Sequence, residues 1–367
     1  MFSPAGVIGI PTDALDTPAL IVDLAAMERN IARMAETFAR AGVNWRPHTK
    51  GQKVPAIAHK LVKAGAIGVT CAKVGEAEVM VAAGIGDILI ANEVIGEPKL
   101  RRLVNLLPHA DVAVCVDSDT GISQLEAAAA AKSVRPRVLV EVDTGMQRCG
   151  VAPGEPALAL ARCVHESPHL RFAGLMAWEG HTVAMPDADA KRNEVVLAIG
   201  RLTATADLCR EAGLAVEIVS CGGTGDYTIS AFRPGITEVQ AGGGIWCDIH
   251  YREHMGVDHE FAMRVLTTVV SRPTPTRVVV DAGFKTMSAQ PARPEAVSLS
   301  GVASLQLSAE HGRIELEQPN ERLGVGDKLE FIVGYTDSTV VLHDTLYGIR
   351  DGRVEVAWPI AGRGKLW

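Results

Sequence analysis

From Leu20 to about residue 260, short apolar runs alternate with segments of helical period, and beyond that point strand follows strand with no helix between. The alternation is the grammar of a parallel sheet wrapped by helices, either doubly wound or closed into a barrel. Strand candidates are Ala19 to Val22, Val43 to Arg46, Gly68 to Cys71, Asp87 to Ala91, Val112 to Val116, Arg137 to Val142, Phe172 to Ala177, Val216 to Ser220 and Glu238 to Ala241. That is about the number a closed barrel needs. The first helix shows the pattern: Asp23 can cap it, Met27, Ile31, Met34 and Phe38 share one face, and Glu28, Arg29 and Arg33 face out. The expected fold class is therefore α/β, a (β/α)8 TIM-type barrel over residues 15–260, with a second, all-β domain over 261–367 to which residues 1–14 are added. In that domain the expected strands are Ala262 to Val270, Arg277 to Asp281, Ser298 to Leu307, Arg313 to Leu316, Lys328 to Val333, Thr339 to Leu342 and Val354 to Trp358.

A chain of 367 residues that is 47% hydrophobic can bury one or two sizeable cores. Its net charge of -7, with no basic block, argues against nucleic acid and against an anionic membrane as partners. Seven cysteines are scattered singly, without zinc-type or disulfide-type spacing, and read as reduced thiols of a cytoplasmic protein. Met1 to Ile10 lacks the features of an export signal, and no apolar run approaches a membrane span.

Most of the chemically capable residues fall at the C-terminal ends of barrel-type strands, where barrel active sites are assembled. Arg46-Pro47-His48-Thr49-Lys50 puts a lysine just past the second strand, and Lys50 is the expected covalent nucleophile. His48 is a candidate acid-base group, with packing beside Lys50 or orienting it as the alternative. Ser220-Cys221-Gly222-Gly223-Thr224-Gly225 follows an apolar strand and Gly242-Gly243-Gly244 ends the next. Late-strand glycine loops let backbone N–H groups approach a phosphate, and Thr224 adds a hydroxyl. Neither the Walker nor the Rossmann spacing is present.

A phosphate cradle and one strand-end lysine suit pyridoxal 5'-phosphate, whose aldehyde needs an amine and whose phosphate needs donors. Arg148 is placed to donate to the cofactor's phenolate oxygen or to a substrate carboxylate, with a barrel-rim salt bridge as the alternative. In Trp178-Glu179-Gly180-His181, Trp178 is a further cofactor-binding candidate and His181 could take a proton from a β-hydroxyl or from Cα. Were the segment Tyr335 to His343 a regular strand, Tyr335, Asp337, Thr339 and His343 would share a face. Hydrogen bonding and turn chemistry is the first reading of that face, and a divalent-metal site on Asp337 and Tyr335 the second. Asp248, His250, His254 and His259 lack ligand spacing. Glu310-His311-Gly312 reads as a hairpin turn.

Taken together, Thr17-Pro18, Arg46-Pro47-His48 with Lys50, Lys73-Val74 with Glu76-Ala77, Asn92-Glu93-Val94, Glu141 to Val151, Gly222 to Gly225, Glu238 to Gly242, Asp281-Ala282-Gly283 and Leu342-His343-Asp344 resemble the D-threonine aldolase and D-serine dehydratase group of fold-type III pyridoxal-phosphate enzymes, relatives of alanine racemase. The resemblance runs nearly end to end. It implies a barrel bearing the cofactor on Lys50, phosphate held by the loops at Gly222 to Gly225 and Gly242-Gly243, a small amino-acid substrate, and a head-to-tail homodimer. In metal-dependent members a His-x-Asp or His-x-Cys holds a divalent ion (Mg, Mn or Zn) beside the substrate hydroxyl; here Tyr335 stands first and only Asp337 matches. Gln52 stands where relatives have a histidine, and the Trp178 loop replaces one bearing tyrosine. Glu179 and His181 could then replace the metal's function. The implied activity is retro-aldol cleavage of a β-hydroxy-D-amino acid to glycine and an aldehyde. The alternatives are dehydration of D-serine or 3-hydroxyaspartate, racemisation, or a non-catalytic cofactor carrier.

Overall fold

Asp23 closes a five-residue strand, β1 (Ala19–Asp23), and opens helix α1 (Leu24–Ala41), because its carboxylate accepts from the Ala26 N–H at 3.0 Å. The apolar stripe of α1 is buried as its spacing predicts, with Phe38 stacked on Trp45 at 5.5 Å between ring centroids. In the computed structural model, which describes residues 4–367, the chain groups into two compact units. One comprises residues 32–50, 55–242 and 364–367; the other comprises residues up to Ile31, 51–54 and 243–363.

The first unit is an alternation of strand and helix: β2 (Asn44–Trp45), α2 (Pro55–Lys63), β3 (Val69–Cys71), α3 (Val74–Ala82), β4 (Asp87–Glu93), α4 (Glu97–Val104), β5 (Asp111–Val116), α5 (Asp119–Lys132), β6 (Arg137–Glu141), α6 (Glu155–Glu166), β7 (Arg171–Met176), α7 (Ala188–Glu211), β8 (Ile218–Cys221), the short α8 (Tyr227–Ser230) and β9 (Glu238–Val239). The eight strands are all parallel, in the order β2-β9-β8-β7-β6-β5-β4-β3. The ends of that order meet: Ile67 N–H donates to Trp45 O at 2.9 Å, Thr70 N–H to Pro47 O at 2.9 Å and Thr49 N–H to Thr70 O at 2.8 Å. No edge is left open, so the sheet is an eight-stranded barrel. Strands buried on both faces read as unbroken apolar runs, which is why these were legible in sequence.

The second unit is mainly β: β1, β10 (Met263–Thr274), β11 (Arg277–Val280), β12 (Glu295–Ala296), β13 (Val302–Leu307), β14 (Gly312–Leu316), β15 (Lys328–Ile332), a helical turn α9 (Thr336–Thr339), β16 (Thr345–Arg350) and β17 (Arg353–Pro359). Three expectations are corrected here. β1 pairs antiparallel with β10 and parallel with β16, so it is a strand of this sheet and not of the barrel. With it, residues 15–31 and 243–260, expected in the barrel, cluster with the β unit. The expected strand at Thr339 to Leu342 is helical, because Asp248 Oδ2 accepts from both the N–H and the hydroxyl of Thr336 at 2.7 Å and Thr339 Oγ1 donates to Tyr335 O, turning the chain. The turn expected at Glu310-His311-Gly312 does join a hairpin, β13 to β14. Among the described residues no helix is long and apolar enough to cross a membrane.

Candidate active site

Lys50 leaves the barrel where β2 runs out, on a backbone fixed from several sides. Thr49, fully buried, donates its hydroxyl to Glu76 Oε1 at 2.9 Å, and Glu76 Oε2 accepts the Ala72 N–H at 2.7 Å. The Lys50 N–H itself donates to His48 Nδ1 at 3.3 Å. His48 thus orients the lysine's backbone. A Cβ on Gly242 would collide with the His48 carbonyl, so that glycine is required for the close passage of two chain segments. Arg46 turns toward the other end of the barrel: its Nε donates to Glu238 Oε2 at 2.9 Å and its NH1 to Asp87 Oδ1 at 2.8 Å, and Arg137 also pairs with Asp87. Asp87, Arg137 and Glu238 all begin strands, so this network belongs to the barrel's floor and its stability.

Trp178, just past β7, gathers the predicted groups. Lys50 Nζ lies 5.2 Å from a Trp178 ring centroid and the Arg148 guanidinium 5.0 Å. The ring folds back over its own loop so closely that a Cβ on Gly180 would meet it at 2.6 Å, and a Cβ on Gly223 would lie 3.0 Å from its Nε1. Lysine, arginine and glycine turn therefore converge on one aromatic side chain. Gly222 sits at φ +75°, a left-handed conformation open to glycine, and a Cβ there would meet Ser230 Oγ at 2.7 Å. Gly243 lies in the other unit, in a 3-10 turn with Tyr251 against its Cα.

Arg148 rides on a loop closed by the Val142–Val151 bridge, in which Asp143 Oδ1 accepts from the N–H groups of Gly145 and Gln147 at 2.9 and 3.0 Å. Its NH2 stands 3.5 Å from Glu141 Oε1. Burial, and then the hydrogen-bonded Glu93 beside it, push the Glu141 carboxyl up to about 8, against the opposing field of Arg148. Desolvation dominates because Glu141 is buried while Arg148 is half exposed.

His181 packs beside the same loop: a Cβ on Gly145 would lie 2.8 Å from its ring, and its Nε2 is 3.4 Å from Glu194 Oε1 on α7. Glu179 is buried beneath the glycine turn, where its Oε2 accepts the Gly222 N–H at 3.3 Å and its side chain meets that of Asp226. The expectation that Glu179 shares the metal's function with His181 is therefore replaced by a role inside the turn. Sequence reasoning missed Glu76 and Asp226 as parts of the site; the Glu76-Ala77 signature after Lys73-Val74 was the one available signal for the former.

In the β unit, Tyr335 Oη donates to Asp337 Oδ2 at 3.0 Å, and burial followed by the Asp337 charge holds the phenol protonated far above its ordinary range. The two side chains are thus joined to each other and do not share the face of a strand. Asp337 lies so close to Gly51, the residue after Lys50, that a Cβ there would collide with it. A protonated phenol and a carboxylate already accepting a hydrogen bond do not fit a divalent cation. Among the described residues no group of three or more His, Cys, Asp or Glu side chains is arranged to hold one. Pyridoxal phosphate, by contrast, fits: an amine and a guanidinium meet at an aromatic ring next to a left-handed glycine turn.

Comparison with known proteins agrees with this geometry. The alanine racemase N-terminal domain model matches residues 22–248 and a putative serine dehydratase domain model matches residues 262–349. D-threonine aldolase of an Arthrobacter species is 39% identical over 97% of this chain and 95% of its own. 3-Hydroxy-D-aspartate aldolase of Paracoccus denitrificans is 36% identical over 97% and 94%. The crystal structure of D-threonine aldolase from Filomicrobium marinum superposes with a TM-score of 0.96 at 38% identity, covering both chains fully. With its barrel, lysine and glycine turn in place, the chain belongs to the alanine racemase-like, fold-type III pyridoxal-phosphate enzymes, as a lyase of the D-threonine aldolase group.

Proposed function

We propose that this chain cleaves a β-hydroxy-D-amino acid between Cα and Cβ, giving glycine and an aldehyde. The observation that carries the reading is the convergence of Lys50 and Arg148 on Trp178 beside the glycine turn. Its support is the kinship with aldolases of D-threonine and 3-hydroxy-D-aspartate. Bound here, pyridoxal phosphate would withdraw electron density from the substrate's Cα and weaken the bond perpendicular to its ring.

The residues divide the remaining work. Lys50 would supply the amine that carries the cofactor. Thr224, with the backbone N–H groups of Thr224, Gly225 and Gly242, would hold the phosphate in the turn that Gly222 and Gly223 shape, and Trp178 would pack against the ring. Arg148 donates to the phenolate oxygen or to the substrate carboxylate. His181 takes the proton from the β-hydroxyl; the carbon–oxygen bond becomes a carbonyl, the Cα–Cβ bond breaks, and the electron pair stays with the amino-acid half, which takes up a proton at Cα and leaves as glycine. His48 serves by orienting Lys50. Tyr335 and Asp337, joined by their hydrogen bond, take no metal step in this account. A homodimer and a cytoplasmic setting belong to the same reading; the seven cysteines, all free thiols, suit a reducing compartment.

The test is to incubate purified protein with D-threonine, D-phenylserine, D-serine and 3-hydroxyaspartate and identify the products. Aldehyde with glycine and no ammonia supports the reading. Keto acid with ammonia makes the chain a dehydratase, and changed chirality alone makes it a racemase.

A further inference from the structure

Glu179 and Asp226 each leave one carboxyl oxygen, Oε1 and Oδ2, buried without a donor. Both residues are fully enclosed, at 1% and 0% exposure. Their other oxygens hold adjacent links of the glycine turn: Glu179 Oε2 accepts the Gly222 N–H at 3.3 Å, and Asp226 Oδ1 accepts the Gly223 N–H at 2.7 Å. The two side chains also meet each other as hydrogen-bonding partners. Two acceptor-only carboxylates cannot bond, so the contact and both orphaned oxygens are explained together by one proton lying between them.

We propose that Glu179 and Asp226 hold a single shared proton and act as one positioning unit for the phosphate-binding turn, so that cofactor phosphate is gripped while the proton is present and loosened when it leaves. The proposal rests on the cofactor reading above. Its geometry is a clamp: one carboxyl comes from the Trp178 loop and the other from the residue preceding α8, and each fixes one N–H of the turn between them. Losing the proton would put a second negative charge in a dry site, and the two carboxylates would push apart, dragging Gly222 and Gly223 with them and loosening the turn that would hold the phosphate.

The charged surroundings decide when that happens. Burial raises both groups, Glu179 well above the ordinary carboxylate range, with Asp226 its next largest influence. Lys191, on α7, opposes this by favouring ionised Asp226, while its own Nζ donates to Val183 O at 3.1 Å. Cys221, fully buried between the strands, stays a neutral thiol because burial and then these carboxylates raise it further. Glu238 also acts on Cys221 but is tied to Arg46. Lys50 and Arg148 lie against the Trp178 ring. Burial thus favours the protonated pair, and rising pH works to remove the proton.

The deciding variants are Glu179→Gln, which keeps an amide donor toward Asp226 and an acceptor for Gly222, and Glu179→Ala, which keeps neither. Holoenzymes are dialysed to equilibrium against pyridoxal phosphate from about pH 6 to about pH 9.5, and bound cofactor is read from its absorbance. Apoprotein melting over the same range gives a reading that needs no cofactor. Wild type should lose affinity by about tenfold toward the alkaline end, with a parallel fall in apoprotein Tm. Glu179→Gln should lose the pH dependence of cofactor affinity and keep only the Glu141 part of the Tm decline, and Glu179→Ala should be weak at every pH. A Glu179→Gln variant with the wild-type slope in both series overturns the proposal. Wild type that binds no cofactor at any pH overturns the cofactor reading and the grip with it, and the melting series then decides the shared proton alone.

Discussion

Lys50 and Arg148 lie at 5.2 and 5.0 Å from ring centroids of the same residue, Trp178, so one aromatic side chain meets both cations of the site. Attraction of a cation to an indole face is worth about 1–2 kcal/mol where water is excluded. Trp178→Ala should weaken cofactor binding about tenfold or more, and Trp178→Phe should recover most of the loss. Titration of apoprotein with cofactor reads both.

Arg46 is part of the same short motif as Lys50 and does a different job. Removing one partner of a buried ion network strands the others, at a cost of about 3–5 kcal/mol. Arg46→Ala should lower the unfolding free energy by that amount, and any protein that still folds should keep its cofactor on Lys50. Urea unfolding followed by Trp fluorescence measures it.

Glu141 gives a pH dependence of definite sign. Its carboxyl, ordinarily near 4.5, is pushed up to about 8 by burial and by Glu93. The folded state therefore binds the proton more tightly than the unfolded chain does, and this contribution to stability is complete below the unfolded value and lost as pH rises through about 8. Wild-type Tm should decline across that window, and Glu141→Gln should lose the Glu141 part of the decline. Melting curves at a series of pH values check it; an unchanged slope in the variant contradicts the assignment.

Tyr335 and Asp337 are bonded to each other and offer a poor donor set for a hard cation. Exhaustive chelation should leave turnover within about twofold of the untreated rate, and Asp337→Asn should not create a response to added Mn or Mg. Loss of turnover under chelator, restored by metal, would contradict this.

The barrel was legible because its strands are apolar along their whole length, so β4 to β8 fall within about three residues of their expected bounds. β1 looked no different, yet its partners are Leu266 to Met263 and Leu346 to Ile349, more than two hundred residues away, and β16 was not expected at all. The residues around Tyr335 alternate like a strand, but their conformation is set by Asp248, eighty-eight positions earlier. In the site, residue types at strand ends pointed to Lys50, Arg148, Trp178 and the glycine turn. Side-chain direction was not legible: nothing in Arg46 announces the floor of the barrel, nothing in Glu179 its burial, and nothing in Glu76 its bond to Thr49.

The central claim is that Lys50 is the residue that bonds the cofactor. Borohydride reduction of the holoenzyme followed by peptide mass mapping tests it most directly. A stable cofactor adduct is expected on the peptide containing Lys50 and none in a Lys50→Ala variant; an adduct on any other lysine, or no adduct in a protein that turns over, would contradict the assignment.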